Sequence, residues 1–419
     1  MKNAAETLNR ECTCQTLDAT QLRAQLARDP LLKGIFEDII QNRPNLFSAT
    51  SVFLNSQQLA DMAELIRTIE SVIKCSEYQE ITLARSPEIA KINHGPHGVF
   101  MGYDFHLSDT GPKLIEINTN AGGGLLNLEL AKAQLHCAKD ATVHSEEKLN
   151  QLDQEFFNMF VQEWKTQRPD QDLKLIAIVD DAPEKQYLYP EFQLFEHLFA
   201  HYKIKAVIAD PKDLIFHDGK LWLKDQSVDM VYNRLTDFYL EEKNHQSLRE
   251  AYESDSIVLT PSPYHHALYA NKLNLVTLTD EDELQNFQLS SEQKSILLRG
   301  IPKTLMVTQK EGESLWLNKK NLFFKPIAGF GSKATYRGDK LTLKVWGEIL
   351  KEKYVAQKII PPSQRLVQID QAMADLKIDI RVYVYEGEIQ LLAARLYAGQ
   401  TTNFRTLGGG FAPVFITSK

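Results

Sequence analysis

Residues 102–124 read GYDFHLSDTGPKLIEINTNAGGG and place three oxygen-bearing side chains, Asp104, Glu116 and Asn118, on two runs of alternating residues. Val99–Leu107 and Lys113–Asn118 have strand character, and the turn formers Ser108–Pro112 between them predict a β-hairpin with a five-residue loop. If Leu107 pairs with Lys113, Asp104 lies directly opposite Glu116, because both pairs sum to the same index. Period-two alternation then puts Asn118 on the face of the two acids and turns Phe105, Ile115 and Ile117 to the other, apolar face. Opposed carboxylates have Cβ atoms roughly 5 Å apart and repel. A divalent cation removes that penalty, and an oxygen-rich trio suits Mg2+ better than zinc. The plainer alternative is a hairpin edge whose acids keep it solvated.

Composition bounds what surrounds this ribbon. The 419 residues exceed what one hydrophobic core usually serves, so two or three domains are expected. A net charge of −8 argues against a general nucleic-acid or anionic-membrane surface. The sequence has no apolar run of about 18 residues for a membrane span and no apolar leader, and the four cysteines read as free thiols of a reducing, cytoplasmic compartment.

Along the chain, the first hundred residues read mainly as helix: Ala19–Arg28, Leu31–Gln41, and Gln57–Lys74 entered through Asn55 or Ser56 as cap. The loop Asn93–Gly98 carries His94 and His97, which either touch substrate or are simply solvated. After the ribbon, Leu125–Ala141 and Glu146–Lys165 look helical, and Gly122–Gly124 would let backbone amides approach an anion at a helix start. A second unit opens with LKLIAIVDD from Leu173, a helix near Phe192–His201 and the strand KIKAVIADP, the start of a parallel α/β sheet. It continues through a hairpin, Leu214–Leu223 turning at Asp218-Gly219, to VDMVYNR. Arg234 closes that strand at the carboxyl edge of the sheet, where it is a clamp for a substrate carboxylate or else a surface ion pair. No G-x-G-x-x-G is present, so dinucleotide binding has no support. In the third unit, Leu322–Tyr336 (LFFKPIAGFGSKATY) presents Lys325 at the end of an apolar strand, followed by a loop whose Gly329 and Gly331 leave it open to a phosphate. Tyr354–Ile360, Asp379–Tyr385 and Glu388–Leu396 are the remaining strands, and Gln400–Val414 is a loop holding Asn403, Arg405 and Gly408–Gly410.

Together these residues resemble the ATP-grasp ligases. Asp104 with Glu116-Ile117-Asn118 is similar to that family's metal ligands, FFKP-IAGFGSK to its phosphate lysine and loop, and DIRVYV, AAR and FRT-LGGG to the strands and loop that usually precede the metal hairpin. Here the hairpin comes first, which resembles the circularly permuted branch of eukaryotic-type glutathione synthetase and glutathionylspermidine synthase. The resemblance runs from Gly98 to Val414 in one order, including ANK at Ala270–Lys272. It implies an α+β, circularly permuted ATP-grasp fold with an α/β substrate unit. The expected domains are 1–170 (helices plus the metal hairpin), 171–262 (substrate unit) and 263–419 (nucleotide lobe and lid). It further implies ATP on Lys272, Lys325, Gly329, Gly331, Ser332, Gln357, Lys358 and Ile360, with two Mg2+ ions on Asp104, Glu116 and Asn118. Catalysis falls to Arg405, Lys325 and Arg234, and substrate contacts to Glu184, Gln186, Arg234, Gly409 and Gly410.

The implied reaction is an ADP-forming carboxylate–amine ligation through an acylphosphate, with a small-molecule or peptide acid and an amine as substrates, in a homodimer. Two positions depart from the family pattern: Gly329 stands where glutathione synthetase has a metal-binding Glu, and Gly102 where the permuted relatives have an Arg. A non-catalytic nucleotide-binding regulator of the same fold and an ATP-dependent phosphotransferase are the alternatives. Asp104→Asn and Glu116→Gln, which remove charge at nearly constant shape, are expected to abolish turnover and leave the fold intact.

Overall fold

The computed structural model describes residues 4–12, 30–134, 146–329, 334–369 and 371–417. The expected helix over 19–28, the end of the helix expected over 125–141, and the loop residues Gly331 and Ser332 lie outside the described residues.

A seven-stranded sheet unites the two ends of the chain. The hairpin strands Met101–Ser108 and Gly111–Asn118 occupy one edge, and Met101–Ser108 pairs antiparallel with the long strand Ala372–Tyr385. Glu388–Tyr397, Gly410–Thr417 and Val52–Asn55 continue the sheet, while Gln364–Ile369 pairs with the first half of the long strand. Alternation along the long strand separates Ile378, Ile380, Val382 and Val384, which enter the core, from Asp379 and Arg381 on the other face. Against that core lies the helix Ser56–Ile73, through Met62, Leu65, Ile66, Ile69, Val72 and Ile73. Each such side chain contributes about 1.5–3 kcal/mol on burial. Asn55 starts the helix as expected: its side chain accepts the Gln58 N–H at 2.7 Å, and Gln58 accepts the Asn55 N–H at 3.0 Å.

The hairpin keeps Asp104 opposite Glu116 but differs from the expected register beyond that point. Its turn is two residues, Asp109-Thr110, and Leu107 pairs with Pro112. The pairing jumps from Asp104–Glu116 to Phe105–Leu114, so Ile115 has no residue opposite it. This bulge turns Leu114 into the core and brings Ile115, expected on the apolar face, to the same face as Glu116 and Asn118.

The second unit is the expected parallel sheet, in the order Val258–Thr260, Met230–Asn233, Leu175–Val179, Lys205–Ala209, with helix Tyr189–His201 as the crossover. Its small hairpin, Leu214–His217 and Lys220–Leu223, turns at Asp218-Gly219, where both residues have positive φ (50° and 68°). A third, antiparallel sheet orders Thr304–Met306, Tyr354–Lys358, Leu322–Pro326 and Tyr336–Arg337 over a core that includes Phe324 and Trp346. Because Phe324 points into that core, Lys325 emerges on the opposite side, towards the hairpin. Among the described residues no helix is long and apolar enough to cross a membrane.

Candidate functional site

The polar face of the hairpin and the face of the third sheet that bears Lys325 enclose a cavity of about 380 Å³. The large sheet supplies Asp104, His106, Glu116, Asn118, Asp379, Arg381 and Arg395 to its lining. Across from them stand Lys272, Lys325, Gly329, Gln357, Lys358 and Ile360. The acidic ribbon from early in the chain and the lysine strand from late in it therefore share one space of a size that fits a nucleotide.

The strand pairing decides the electrostatics of this space. Arg381 faces Asp104 in the ladder, and Arg395 faces Asp379 one strand further on. Arg381 grips Asp104 with two bonds, Nε to Oδ1 at 2.8 Å and Nη2 to Oδ2 at 2.7 Å, and Arg395 Nη2 adds a third at 2.7 Å. Burial opposes ionisation of Asp104, but the two guanidiniums outweigh it and pull its carboxyl down to about 2. Arg395 also donates Nε to Asp379 at 2.6 Å, and Asp379 accepts the Thr402 hydroxyl. The repulsion between facing acids, which the sequence suggested a cation would relieve, is relieved for Asp104 by arginine.

Glu116 is treated differently. Burial raises its carboxyl, yet Lys325 and Lys272 bring it below the ordinary value. Asn118 donates its amide N–H to Asp104 Oδ2 at 3.1 Å, which leaves the amide oxygen as a potential ligand. The lysines donate to neutral oxygens: Lys325 Nζ to Gln357 Oε1 at 2.9 Å and the bulged Ile115 carbonyl at 3.2 Å, and Lys272 Nζ to the Gly329 carbonyl at 2.7 Å. Burial lowers both ammonium groups, that of Lys325 to about 8, with Glu116 opposing the change. His106 Nδ1 lies 2.7 Å from the Ile360 carbonyl and ties the hairpin to the segment after Lys358.

Of the expected site residues, Asp104, Glu116, Asn118, Lys272, Lys325, Gly329, Gln357, Lys358 and Ile360 meet at the cavity; Gly331 and Ser332 lie outside the described residues, and Arg234, Arg405, Glu184, Gln186, Gly409 and Gly410 do not line it. Arg234 is buried, donates to the Asn120 carbonyl at 2.9 Å and the Tyr232 hydroxyl at 3.2 Å, and leaves its Nε without a partner. Arg405 is exposed on the loop that lends Gln400, Thr401, Thr402 and Phe404 to the cavity wall. Glu184 is exposed, and Gln186 bonds the Asp181 carbonyl at 2.6 Å. Gly409 and Gly410 are buried by backbone: an added Cβ would stand 2.4 Å from the Leu396 carbonyl oxygen and 2.4 Å from that of Asn45, respectively.

The amides at Gly123 and Leu125 do meet an anion, but it is the chain's own Glu191, at 2.8 and 3.2 Å. His94 bonds the Tyr252 carbonyl and His97 pairs with Glu386, so each has a local partner. Gly102 has no room for a side chain, since its Cβ would lie 2.4 Å from that of Ala121 and 3.5 Å from Arg381 Nε.

Arg381, Arg395, Asp379 and His106 join the site without a site role that the sequence assigns them. Their signal was present as charged residues on one phase of alternating strands, but it gains meaning only once those strands are known to lie beside the hairpin.

No known family profile and no curated protein matches this sequence. Among solved structures, a glutathione synthetase-like effector, GSS30 from Globodera pallida in its apo form, is similar over 96% of this chain and 98% of its own, at 12% identity and a TM-score of 0.58. A putative gamma-glutamylcysteine synthetase from Methylobacillus flagellatus KT covers 84% of each chain at 12% identity and a TM-score of 0.46. The ATP-grasp ligase PsnB, solved with minimal precursor, Mg and ADP, covers 58% of this chain and 89% of its own at 12% identity and a TM-score of 0.29. The match to the first of these, over nearly the full length of both chains, agrees with the fold expected from the motifs: the chain has an ATP-grasp fold.

Proposed function

We propose that the protein is an ATP- and Mg2+-dependent carboxylate–amine ligase of circularly permuted order, which forms an amide through an acylphosphate and releases ADP and phosphate. The observation that carries the reading is the pairing of two opposed walls in one cavity. One wall holds two buried lysines that, among the described residues, bond neutral oxygens, and the other holds the ionised Glu116 beside two arginines.

In this reading Lys272 and Lys325 neutralise phosphate oxygens of ATP, which restore the ammonium character that burial weakens. The segment from Gln357 to Ile360 flanks the base. The donor set suits a hard cation: Glu116 offers an ionised carboxylate and Asn118 an amide oxygen, while Asp104 joins them only where a guanidinium yields one of its oxygens. Mg2+ held there, one ion or two, would supply charge screening along the triphosphate during transfer of the γ-phosphoryl group. Arg381 and Arg395 orient the substrate carboxylate, which attacks that phosphorus; an amine then displaces phosphate. Thr402, through Asp379 and Arg395, ties the 398–409 loop to the arginine pair, so loop position and carboxylate binding are coupled. Arg405, on the same loop as Thr402 and Phe404, would reach the acceptor, and Arg234 supports the turn at Asn120.

One observation favours the non-catalytic alternative, namely that Asp104 is already charge-compensated by protein. A phosphate-release screen with ATP, Mg2+ and pairs of amino acids, peptides and amines separates the readings. With ADP followed in parallel, a ligase releases phosphate only when acid and amine are both present; ADP formed with a hydroxyl compound and without free phosphate indicates a phosphotransferase, and ATP binding without ADP formation under any pair indicates a regulator.

A further inference from the structure

We propose that His245, Asp181 and Glu242 form a binding site for a divalent cation of the zinc or manganese type, separate from the nucleotide cavity. The three lie at the carboxyl edge of the parallel sheet: Asp181 follows the strand Leu175–Val179, and Glu242 and His245 lie on the segment that leaves Met230–Asn233. One ligand atom from each falls within 4.8 Å of the other two, the one such trio of His, Cys, Asp and Glu among the described residues.

The imidazole distinguishes this arrangement from a patch of surface acids. His245 is wholly buried, and its ring is held from behind by Asp237, whose Oδ2 lies 2.7 Å from Nδ1 and also accepts the Glu242 N–H at 2.8 Å. A carboxylate behind a histidine fixes the ring and its tautomer, and it is the usual outer support of a metal-ligating imidazole. The ring therefore presents Nε2 to the open side, 3.0 Å from Asp181 Oδ1. Two neighbouring ligands on a cation with bonds of about 2.1 Å stand about 3 Å apart in octahedral geometry. A cation can thus replace the shared proton while the ring stays in place, and the proton leaves to solvent.

The remaining sides suit entry and exchange. The Asp181 side chain is 42% exposed and Glu242 lies at the surface, so the mouth is open to water. Asp181, Asp237 and Glu242 gather three carboxylates about the ring, a local excess of negative charge that a divalent cation offsets. One imidazole nitrogen with two carboxylates selects zinc or manganese over magnesium or calcium, which prefer oxygen throughout. The bound ion would fasten the 180–186 turn to the 234–245 segment.

The test uses the full chain, freed of metal by chelator dialysis and without nucleotide. It is titrated with Zn2+ in a calorimeter and, in parallel, with Co2+ followed by visible absorption. One equivalent of either ion is expected, with a Co2+ ligand-field band. Affinity should fall at least tenfold in Asp181→Asn and in Glu242→Gln, fall by about 10–100-fold in Asp237→Asn, and stay unchanged in Glu116→Gln. Glu242 is exposed, so Glu242→Gln should melt at the parental temperature without metal and lose the metal-dependent rise. Equal affinity in the parent, Asp181→Asn and Glu242→Gln overturns the assignment, as does binding that disappears in Glu116→Gln.

Discussion

Asp104→Asn is the substitution on which the structure departs most from what residue type alone suggests. By shape the change is nearly silent, and a metal ligand at a hairpin edge would lose activity with its fold intact. Asp104 is instead 3% exposed at its side chain and holds three charge-assisted bonds from Arg381 and Arg395. Its carboxyl falls from 3.8 to about 2, so the folded state favours the ionised form by about 2–3 kcal/mol. Because the folded value is depressed, that contribution is present in full above about pH 4 and is lost as pH falls towards 2. An asparagine forfeits it and leaves two buried guanidiniums with Asp379 alone between them; removing one partner of a buried pair costs about 3–5 kcal/mol.

An unfolding entropy of about 2.1 cal/mol/K per residue over 419 residues converts this range into a fall of about 3–6 °C in melting temperature. The assay is thermal unfolding of parent and variant without nucleotide or metal, at neutral pH and again between pH 4 and 2. The gap should be present at neutral pH and close as the parental carboxyl protonates. Melting of Asp104→Asn within about 1 °C of the parent at neutral pH, or a gap that persists unchanged at pH 2, would refute the reasoning.

Glu116→Gln should do what Asp104→Asn cannot: abolish ATP-dependent phosphate release while the melting temperature stays close to parental, because Glu116 makes no bidentate ion pair whose loss strands a charge. Lys325→Met should weaken ATP binding about 10–100-fold, the worth of one charge-assisted bond to phosphate at about 1.5–3 kcal/mol, read as a dissociation constant by calorimetry; an unchanged constant removes the lysine from the phosphates. His266 gives a pH prediction. It is buried, stacks on Phe238 at a centroid distance of 3.8 Å, has no partner for either ring nitrogen, and is pushed down to about 3 by burial and then by Lys272. A depressed histidine stabilises the fold above about pH 6.5 and loses that contribution as pH falls, on the order of 2–3 kcal/mol by pH 4.5. His266→Phe should therefore flatten the acid side of the stability profile, and a variant profile that follows the parent's would show that the ring does not titrate alone.

How far the sequence alone could be read follows the distance over which each feature is determined. The hairpin and the opening of the parallel sheet were legible because alternation and turn chemistry are local: Asp104 does face Glu116, and Asp218-Gly219 does turn its hairpin. Val52–Asn55 and Gly410–Thr417 are not legible as strands because they pair with each other in parallel across more than 300 residues, and neither shows a pattern long enough to stand alone. Likewise Gly122–Gly124 correctly signalled an anion at a helix start, while nothing local could reveal that Glu191, from another helix, supplies it.

The counter-charge of Asp104 is the sharpest case, because there the local inference was sound in form and incomplete in its partners. Facing acids on a hairpin do require positive charge, and the shortest list of suppliers that a sequence offers is a bound cation. The sheet adds another: a strand docked antiparallel against the hairpin brings Arg381 opposite Asp104, and the next strand brings Arg395 within reach of the same carboxylate. Once Asp104 is satisfied in this way, the two acids no longer have equal roles. Asp104 anchors the arginines, and Glu116, whose charge is balanced only through space by Lys325 and Lys272, keeps its oxygens free for what enters the cavity. Metal affinity and nucleotide affinity should then be coupled through Glu116 and insensitive to Asp104 beyond its effect on folding, a division that two carboxylates equivalent in sequence give no means to foresee.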